Sequence, residues 1–177
     1  MTKRILISGA PGTGKTSIIN ELSNKGYPCH REISREIISN QIAIQGKITP
    51  WQDLEAFSQI VLKKRMTQFD EATEEIEFYD RGIIDVIAYM RKEDLIINPE
   101  WIRLAKEYRY FNKVFMAPPW KEIYQNDDER MEDFNTSIEV HKFMVNTYES
   151  FGYEIVLIPK ANISKRINFI QREIEGK

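Results

Sequence analysis

One cysteine, Cys29, stands in a chain of 177 residues. No internal disulfide can close, and no cysteine-based metal cluster can form. An excess of charge is equally scarce: 25 basic against 27 acidic side chains leave a formal net charge of -2. That balance excludes a broad nucleic-acid surface, which needs a basic excess or stripe, while leaving room for a local anion site. No apolar run reaches the ~20 residues that span a bilayer. The layout of a secretory leader is missing as well. Together these absences lead us to expect a cytoplasmic protein without a membrane span or a nucleic-acid partner. Repeats, low-complexity tracts and linkers are also lacking, so residues 1–177 are expected to form one domain.

What remains is a regular alternation of short apolar runs and amphipathic stretches. Arg4 to Ser8, rich in isoleucine and leucine and followed by glycine, reads as a buried strand. Lys15 to Lys25 reads as a helix stopped by Gly26. Tyr27 to Glu32 is expected to be a second strand, and a helix is expected from Ile33 towards Gly46. Thr49-Pro50-Trp51-Gln52 has the form of a helix start, with threonine as cap and proline in the first turn. Leu54, Phe57 and Val61 would be the buried stripe of that helix, extending to about Glu75. Ile76 to Asp80 reads as a third strand, followed by a helix bearing Asp85. Asn98-Pro99 opens a further helix, Lys113 to Ala117 a fourth strand and Glu154 to Ile158 a fifth. Phe134, Ile138, His141, Val145 and Tyr148 recur at helical spacing, as do Ile163, Ile167, Ile170 and Ile174. Strands alternating with helices predict an α/β fold, a parallel sheet covered on both faces.

Gly9 to Thr16, GAPGTGKT, matches the phosphate-loop pattern G-x-x-x-x-G-K-S/T at every position. Glycines let the backbone bend so that successive N–H groups face phosphate oxygens. Lys15 can reach the terminal phosphates and the Thr16 hydroxyl can ligate magnesium. The following helix turns its positive end to the same place. A chance match is expected in roughly one chain in a hundred of this length, and the flanking strand and helix make it rarer. Gly9, Ala10, Pro11, Gly12, Thr13, Gly14, Lys15, Thr16 and Ser17 are therefore read as the nucleotide-binding residues. The nucleotide is expected to be ATP, with GTP as the alternative, together with Mg2+. A signalling GTPase would carry N-K-x-D, whereas Asn112-Lys113 is followed by Val114-Phe115.

GAPGTGKT, HREISREI, YDRGIID, PPWKEIYQNDDERMEDF and GYEIVLIPK, taken in this order, resemble a family of P-loop ATPases and kinases of the AAA-domain type. Within it the likeness is to ribosylnicotinamide kinase domains, and more broadly to nucleoside and nucleotide kinases. The resemblance covers nearly the whole chain. It implies a five-stranded parallel sheet of order 2-3-1-4-5, with helices on both faces, and a short lid over about residues 118–133. By the same resemblance Glu32 would be the general base that accepts the proton of the substrate hydroxyl. Asp80 would position the metal through water, with a base role as the alternative. Arg81 would approach the phosphates or the substrate. Arg130, in the lid, would reach over the transferred phosphoryl group, in an acidic setting of Asp127, Asp128 and Glu129.

Arg35 is a further candidate for contacting substrate. Asp85 is read two ways, as a substrate contact or as a local cap and ion-pair partner. His141 is read as a core residue of its helix. The implied activity is ATP- and magnesium-dependent phosphoryl transfer to a small-molecule acceptor, a nucleoside-like or ribosyl compound. Nucleoside monophosphate phosphorylation and a nucleotide-gated switch are the alternatives. The oligomeric state is not legible.

Overall fold

The computed structural model describes residues 2–124 and 133–176. Five strands form one parallel sheet: β1 (Lys3–Ser8), β2 (Cys29–His30), β3 (Ile76–Asp80), β4 (Lys113–Met116) and β5 (Glu154–Leu157). Their order is β2-β3-β1-β4-β5, as the resemblance implies. Seven α-helices occur among the described residues: α1 (Lys15–Asn24), α2 (Ser34–Ala43), α3 (Leu54–Asp70), α4 (Ile83–Lys92), α5 (Pro99–Glu107), α6 (Phe134–Ser150) and α7 (Ile163–Glu175). None of these helices is long and apolar enough to cross a membrane.

The two faces of the sheet follow from side-chain alternation along the strands. Ile5 and Ile7 of β1 join Phe78 and Phe115 beneath α1 and α7. Leu6 points the other way, with Tyr79, Val114 and Met116, into the larger core under α2–α6. Each such side chain, fully withdrawn from water, contributes roughly 1.5–3 kcal/mol. Because every strand is parallel, all five C-terminal ends lie along one edge. In register there are Ile7 with Asp80 and Ser8 with Met116. That edge is where ligands bind in open α/β sheets.

Two expected boundaries and one buried stripe are corrected. The second strand is only Cys29–His30, not Tyr27 to Glu32. It is an edge strand; Pro28 has no N–H to extend the ladder, although its carbonyl accepts from Phe78 N at 3.0 Å. Glu32 thus stands two residues beyond the strand, just before α2. The helix expected from Thr49 starts a turn later, at Leu54. Thr49 Oγ1 bonds the Gln52 side chain at 3.2 Å, while Asp53 is the actual cap, accepting from Ala56 N at 2.9 Å. The buried stripe of α6 is Ser137, Val140, Met144, Thr147 and Tyr148, rotated by one residue from the expected one. His141 is accordingly half-buried at its border, where burial lowers its basicity.

Candidate active site

Gly9 leaves β1 at φ 141°, and any Cβ there would lie 2.4 Å from the Ala117 carbonyl oxygen. Gly12 and Gly14 follow at φ 75° and 80°, in the left-handed region open to glycine. The loop is thereby turned into the start of α1. Lys15 folds back across it: Nζ donates to Ala10 O at 2.9 Å and to Thr13 Oγ1 at 3.5 Å. Thr13 in turn donates to Ala10 O at 2.9 Å. Burial, reinforced by the Arg81 cation, brings the Lys15 ammonium down to about 8, against the pull of Asp80, Glu32 and Asp85. At neutral pH it is still mostly charged. Thr16 and Ser17, by contrast, are exposed on the first turn of α1.

Below the loop opens a cavity of about 720 Å³. Pro11 to Ser17 line one end, and Glu32, Arg35, Arg81 and Asp85 line its polar wall. Leu54, Phe57 and Val61 of α3, with Ile38 of α2 and Val86 of α4, give the remainder an apolar surface. A cavity of this size and mixed lining suits a small organic molecule beside the phosphate loop.

The charged groups are arranged in pairs. Glu32 Oε1 accepts from Arg81 Nε at 2.8 Å, and Arg35 Nε lies 3.9 Å from Glu32 Oε2. Burial pushes the Glu32 carboxyl upward, but Arg81, Lys15, Arg65 and Arg35 outweigh it and hold it at about 2. Arg81 adopts φ 68°, a conformation strained for any residue with a Cβ, at a cost of about 1 kcal/mol or more. Its own N–H bonds Ile7 O at 2.9 Å, and its guanidinium is fixed between Glu32 and Asp85.

Asp85 is buried and fully engaged. It accepts from Ser8 Oγ at 2.6 Å, from Gly82 N at 2.8 Å and from the Tyr148 hydroxyl, and it pairs with Arg81 Nη1 at 3.4 Å. Of the two readings of this residue, these contacts are the cap and the local ion pair. It also lines the cavity.

Asp80 ends β3 with 1% of its surface exposed, behind the cavity rather than in its lining. Burial and the neighbouring Glu32 raise its carboxyl to about 6, opposed by Lys15, Arg81 and Arg65. Its Oδ1 has no hydrogen-bond partner among the described residues. An orphaned carboxylate oxygen near Lys15 and an exposed Thr16 hydroxyl make an oxygen donor set suited to magnesium, which keeps several waters and leans on substrate phosphates. No group of three or more His, Cys, Asp or Glu residues able to hold a metal occurs among the described residues. The residues present therefore fit a magnesium ion shared with a nucleotide, and not a closed protein cage.

Arg130, with Asp127, Asp128 and Glu129, lies outside the described residues. Of the expected lid, the stretch 118–124 is described, with Asp133 at its far end. It contains a single 3-10 turn, Lys121–Ile123, and sets the Tyr124 ring against Gly12, where an added Cβ would come within 2.5 Å of it.

Two arginines at the site were not singled out from the sequence. Arg166 of α7 donates from Nη2 to Thr13 O at 3.1 Å and lies 5.9 Å from the centre of the Trp120 ring. Arg65 of α3 is 1% exposed and donates from Nη1 to the Asp80 carbonyl at 2.6 Å. The signal was there in both cases: each occupies a position where its helix repeats apolar residues. Leu54, Phe57 and Val61 continue by four to Arg65, and Ile163 continues by three to Arg166.

A family model described as an AAA domain matches residues 4–166. No curated protein sequence matches the chain. Among solved structures, deoxyadenosine kinase from M. mycoides with bound dATP is similar at 16% identity and a TM-score of 0.68, over 97% of this chain and 99% of that one. The NadR protein in complex with NR is similar at 18% identity and a TM-score of 0.68; the chain is covered to 99% but spans 52% of that protein. Thymidylate kinase from Candida albicans is similar at 16% identity and a TM-score of 0.67, over 99% and 92% of the two chains. With this match over nearly its whole length, the chain belongs to the AAA-domain family, and it shares its fold with these solved structures.

Proposed function

We propose that the protein transfers the terminal phosphoryl group of ATP to a hydroxyl of a small nucleoside-like or ribosyl compound. The observation that carries this is Glu32: a carboxylate held ionised by Arg81 in the wall of a cavity whose other end is the phosphate loop. A phosphate donor and a small acceptor can occupy one cavity, end to end, as in-line transfer requires.

In this reading the loop N–H groups from Gly12 to Thr16 hold the donor phosphates. Lys15 exchanges its bonds to Ala10 O and Thr13 for a terminal phosphate oxygen, where its charge stabilises the transition state. Thr16 directly, and Asp80 through water, would hold Mg2+, which supplies charge neutralisation across the phosphates. The acceptor hydroxyl hydrogen-bonds Glu32. As the bond from its oxygen to phosphorus forms, the bond from phosphorus to the bridging oxygen breaks. The hydroxyl proton passes to Glu32 and ADP leaves. A carboxylate near 2 is a weak base, so the proton moves late, after the new bond has made the hydroxyl strongly acidic. Asp80 is the stronger base, yet it sits behind the cavity wall, and reach takes precedence over basicity.

The neighbours fit this reading in kind: one is a deoxyadenosine kinase, one was seen with NR, and one is a thymidylate kinase. One feature favours a phosphorylated acceptor instead, namely that Arg35, Arg65 and Arg81 all line the cavity. Arg81 is already neutralised by Glu32 and Asp85, which leaves the unphosphorylated acceptor as the first reading. Half-buried Cys29, free of any disulfide, and the need for ATP suit the cytoplasm.

Glu32→Gln tests the proposal. Phosphoryl transfer is expected to fall about 100-fold or more, while ATP affinity stays within about twofold because the loop is untouched. Unchanged transfer would remove Glu32 from the reaction.

A further inference from the structure

One buried carboxylate ties four parts of the fold together. Asp85, in the first turn of α4, takes Ser8 Oγ at 2.6 Å and Arg81 Nη1 at 3.4 Å on Oδ1. Gly82 N, at 2.8 Å, and the Tyr148 hydroxyl donate to Oδ2. These donors come from the end of β1, the turn after β3 and the buried stripe of α6. Together they fill the roughly four lone-pair sites that a carboxylate offers. Burial and the Asp85 carboxylate hold the Tyr148 phenol well above its usual value, so it stays a donor. Arg81 joins this cluster to the cavity. Its Nε lies 2.8 Å from Glu32, whereas Nη1 lies 3.4 Å from Asp85. Its positive φ is strained, and such a residue keeps its place only where its neighbours fix it.

The donors on Asp85 decide how that single guanidinium divides its charge. With the Tyr148 and Ser8 hydroxyls in place, the negative charge of Asp85 is spread over neutral donors. Arg81 is then left to its shorter bond with Glu32. Resting on the kinase reading above, we propose that Tyr148 is a positioning residue, which through Asp85 holds Arg81 on Glu32. Tyr148 is fully buried and outside the cavity lining, so it acts only through its neighbours. Without its hydroxyl, Asp85 loses a donor and draws Arg81 towards itself. Glu32 then loses the partner that aims it at the acceptor hydroxyl. A small displacement of a group at the reacting centre costs far more in rate than in binding.

Tyr148→Phe removes the hydroxyl and keeps the ring that packs edge-on against Tyr153. Ser8→Ala removes the other hydroxyl from Asp85, and serves if the first variant folds poorly. Both are compared with wild type, with Glu32→Ala and with the double variant Tyr148→Phe/Glu32→Ala. In protein carrying isotope-labelled arginine, the Arg81 Nε–H resonance reports the bond to Glu32 without any substrate. Transfer from ATP and Mg2+ to a panel of nucleosides is followed with kcat and KM separated. Affinity for a non-hydrolysable ATP analogue reports whether the phosphate loop and the fold are intact. The Arg81 resonance is expected to move in Tyr148→Phe and Ser8→Ala towards its position in Glu32→Ala. In Tyr148→Phe, kcat should fall about tenfold or more, with affinity for the ATP analogue unchanged within about twofold. Added to Glu32→Ala, the same substitution should cause no further loss, because both act through one group. An unmoved Arg81 resonance overturns the proposal. So does a loss of kcat that persists undiminished beside Glu32→Ala, which would mark a merely structural effect. A wild type that phosphorylates no acceptor counts against the kinase reading instead, and the Arg81 resonance then decides the link from Tyr148 to Glu32 by itself.

Discussion

At the scale of single residues, the proposed reaction draws on two carboxylates set apart by their surroundings. Glu32 is held at about 2 by its cations, while Asp80, more deeply buried and beside Glu32, is raised to about 6. A raised acid binds its proton more tightly in the folded state, so Asp80 costs stability as pH rises from about 4 through 6. Glu32 acts in the opposite sense, stabilising the fold above its ordinary range and losing that contribution as pH falls towards 2. Asp80→Asn is therefore expected to stabilise the nucleotide-free protein at pH 8 by up to about 3 kcal/mol. The gain should vanish near pH 4, where Asp80 is protonated in any case. Thermal melts of both proteins across this range check it, and a variant less stable at pH 8 would contradict the assignment. This polarity was not legible from the chain. Glu32 and Asp80 were found by position and resemblance, but nothing in a linear sequence says which acid lines a cavity and which sits behind it. Arg65 escaped for a related reason: a cation at an apolar position of a helix reads as an interruption of the stripe until a cavity is seen beside it.

Among the elements, the phosphate loop is the most constrained. Gly9 is pressed against the backbone of the segment leaving β4, whose place is set by the pairing of Ser8 with Met116. Gly26 also has a positive φ, 91°, but open space around it. Gly9→Ala should then cost about 2–4 kcal/mol, from collision and strain together, lowering Tm by roughly 5–15 °C. Gly26→Ala should cost only about 1 kcal/mol, from strain alone. Equal melting points for the two variants would mean that the loop yields more easily than its packing indicates. Strands β1, β3 and β4 were legible because buried parallel strands are continuous apolar runs, and β5, an edge strand with Leu157 exposed, was legible from its apolar run alone. β2 was overextended because Tyr27 to Glu32 was read as one strand, whereas only Cys29 and His30 pair with β3, opposite Phe78 and Tyr79. The start of α3 was misplaced because Thr49-Pro50 satisfies a cap locally, and only packing shows that Asp53 does so instead.

The whole molecule places these parts in one enclosure. The parallel sheet brings the phosphate loop after β1 and the Asp80-Arg81 turn after β3 to one edge, and Glu32 enters from the segment after β2. Helices α2, α3 and α4 close the space between them with apolar side chains. The sheet order followed from the resemblance, while the size and polarity of the cavity came only from the packing of helices distant in sequence. The measurement that tests this account most directly is incubation with Mg2+ and ATP and a panel of nucleosides, ribosylnicotinamide, nucleoside monophosphates and small alcohols. Mass spectrometry then reads phosphorylated products, with Lys15→Ala as the blank. The account predicts a singly phosphorylated acceptor and matching ADP from the wild type, and neither from Lys15→Ala. ADP released at the same rate with and without every acceptor, and no phosphorylated product, would contradict it.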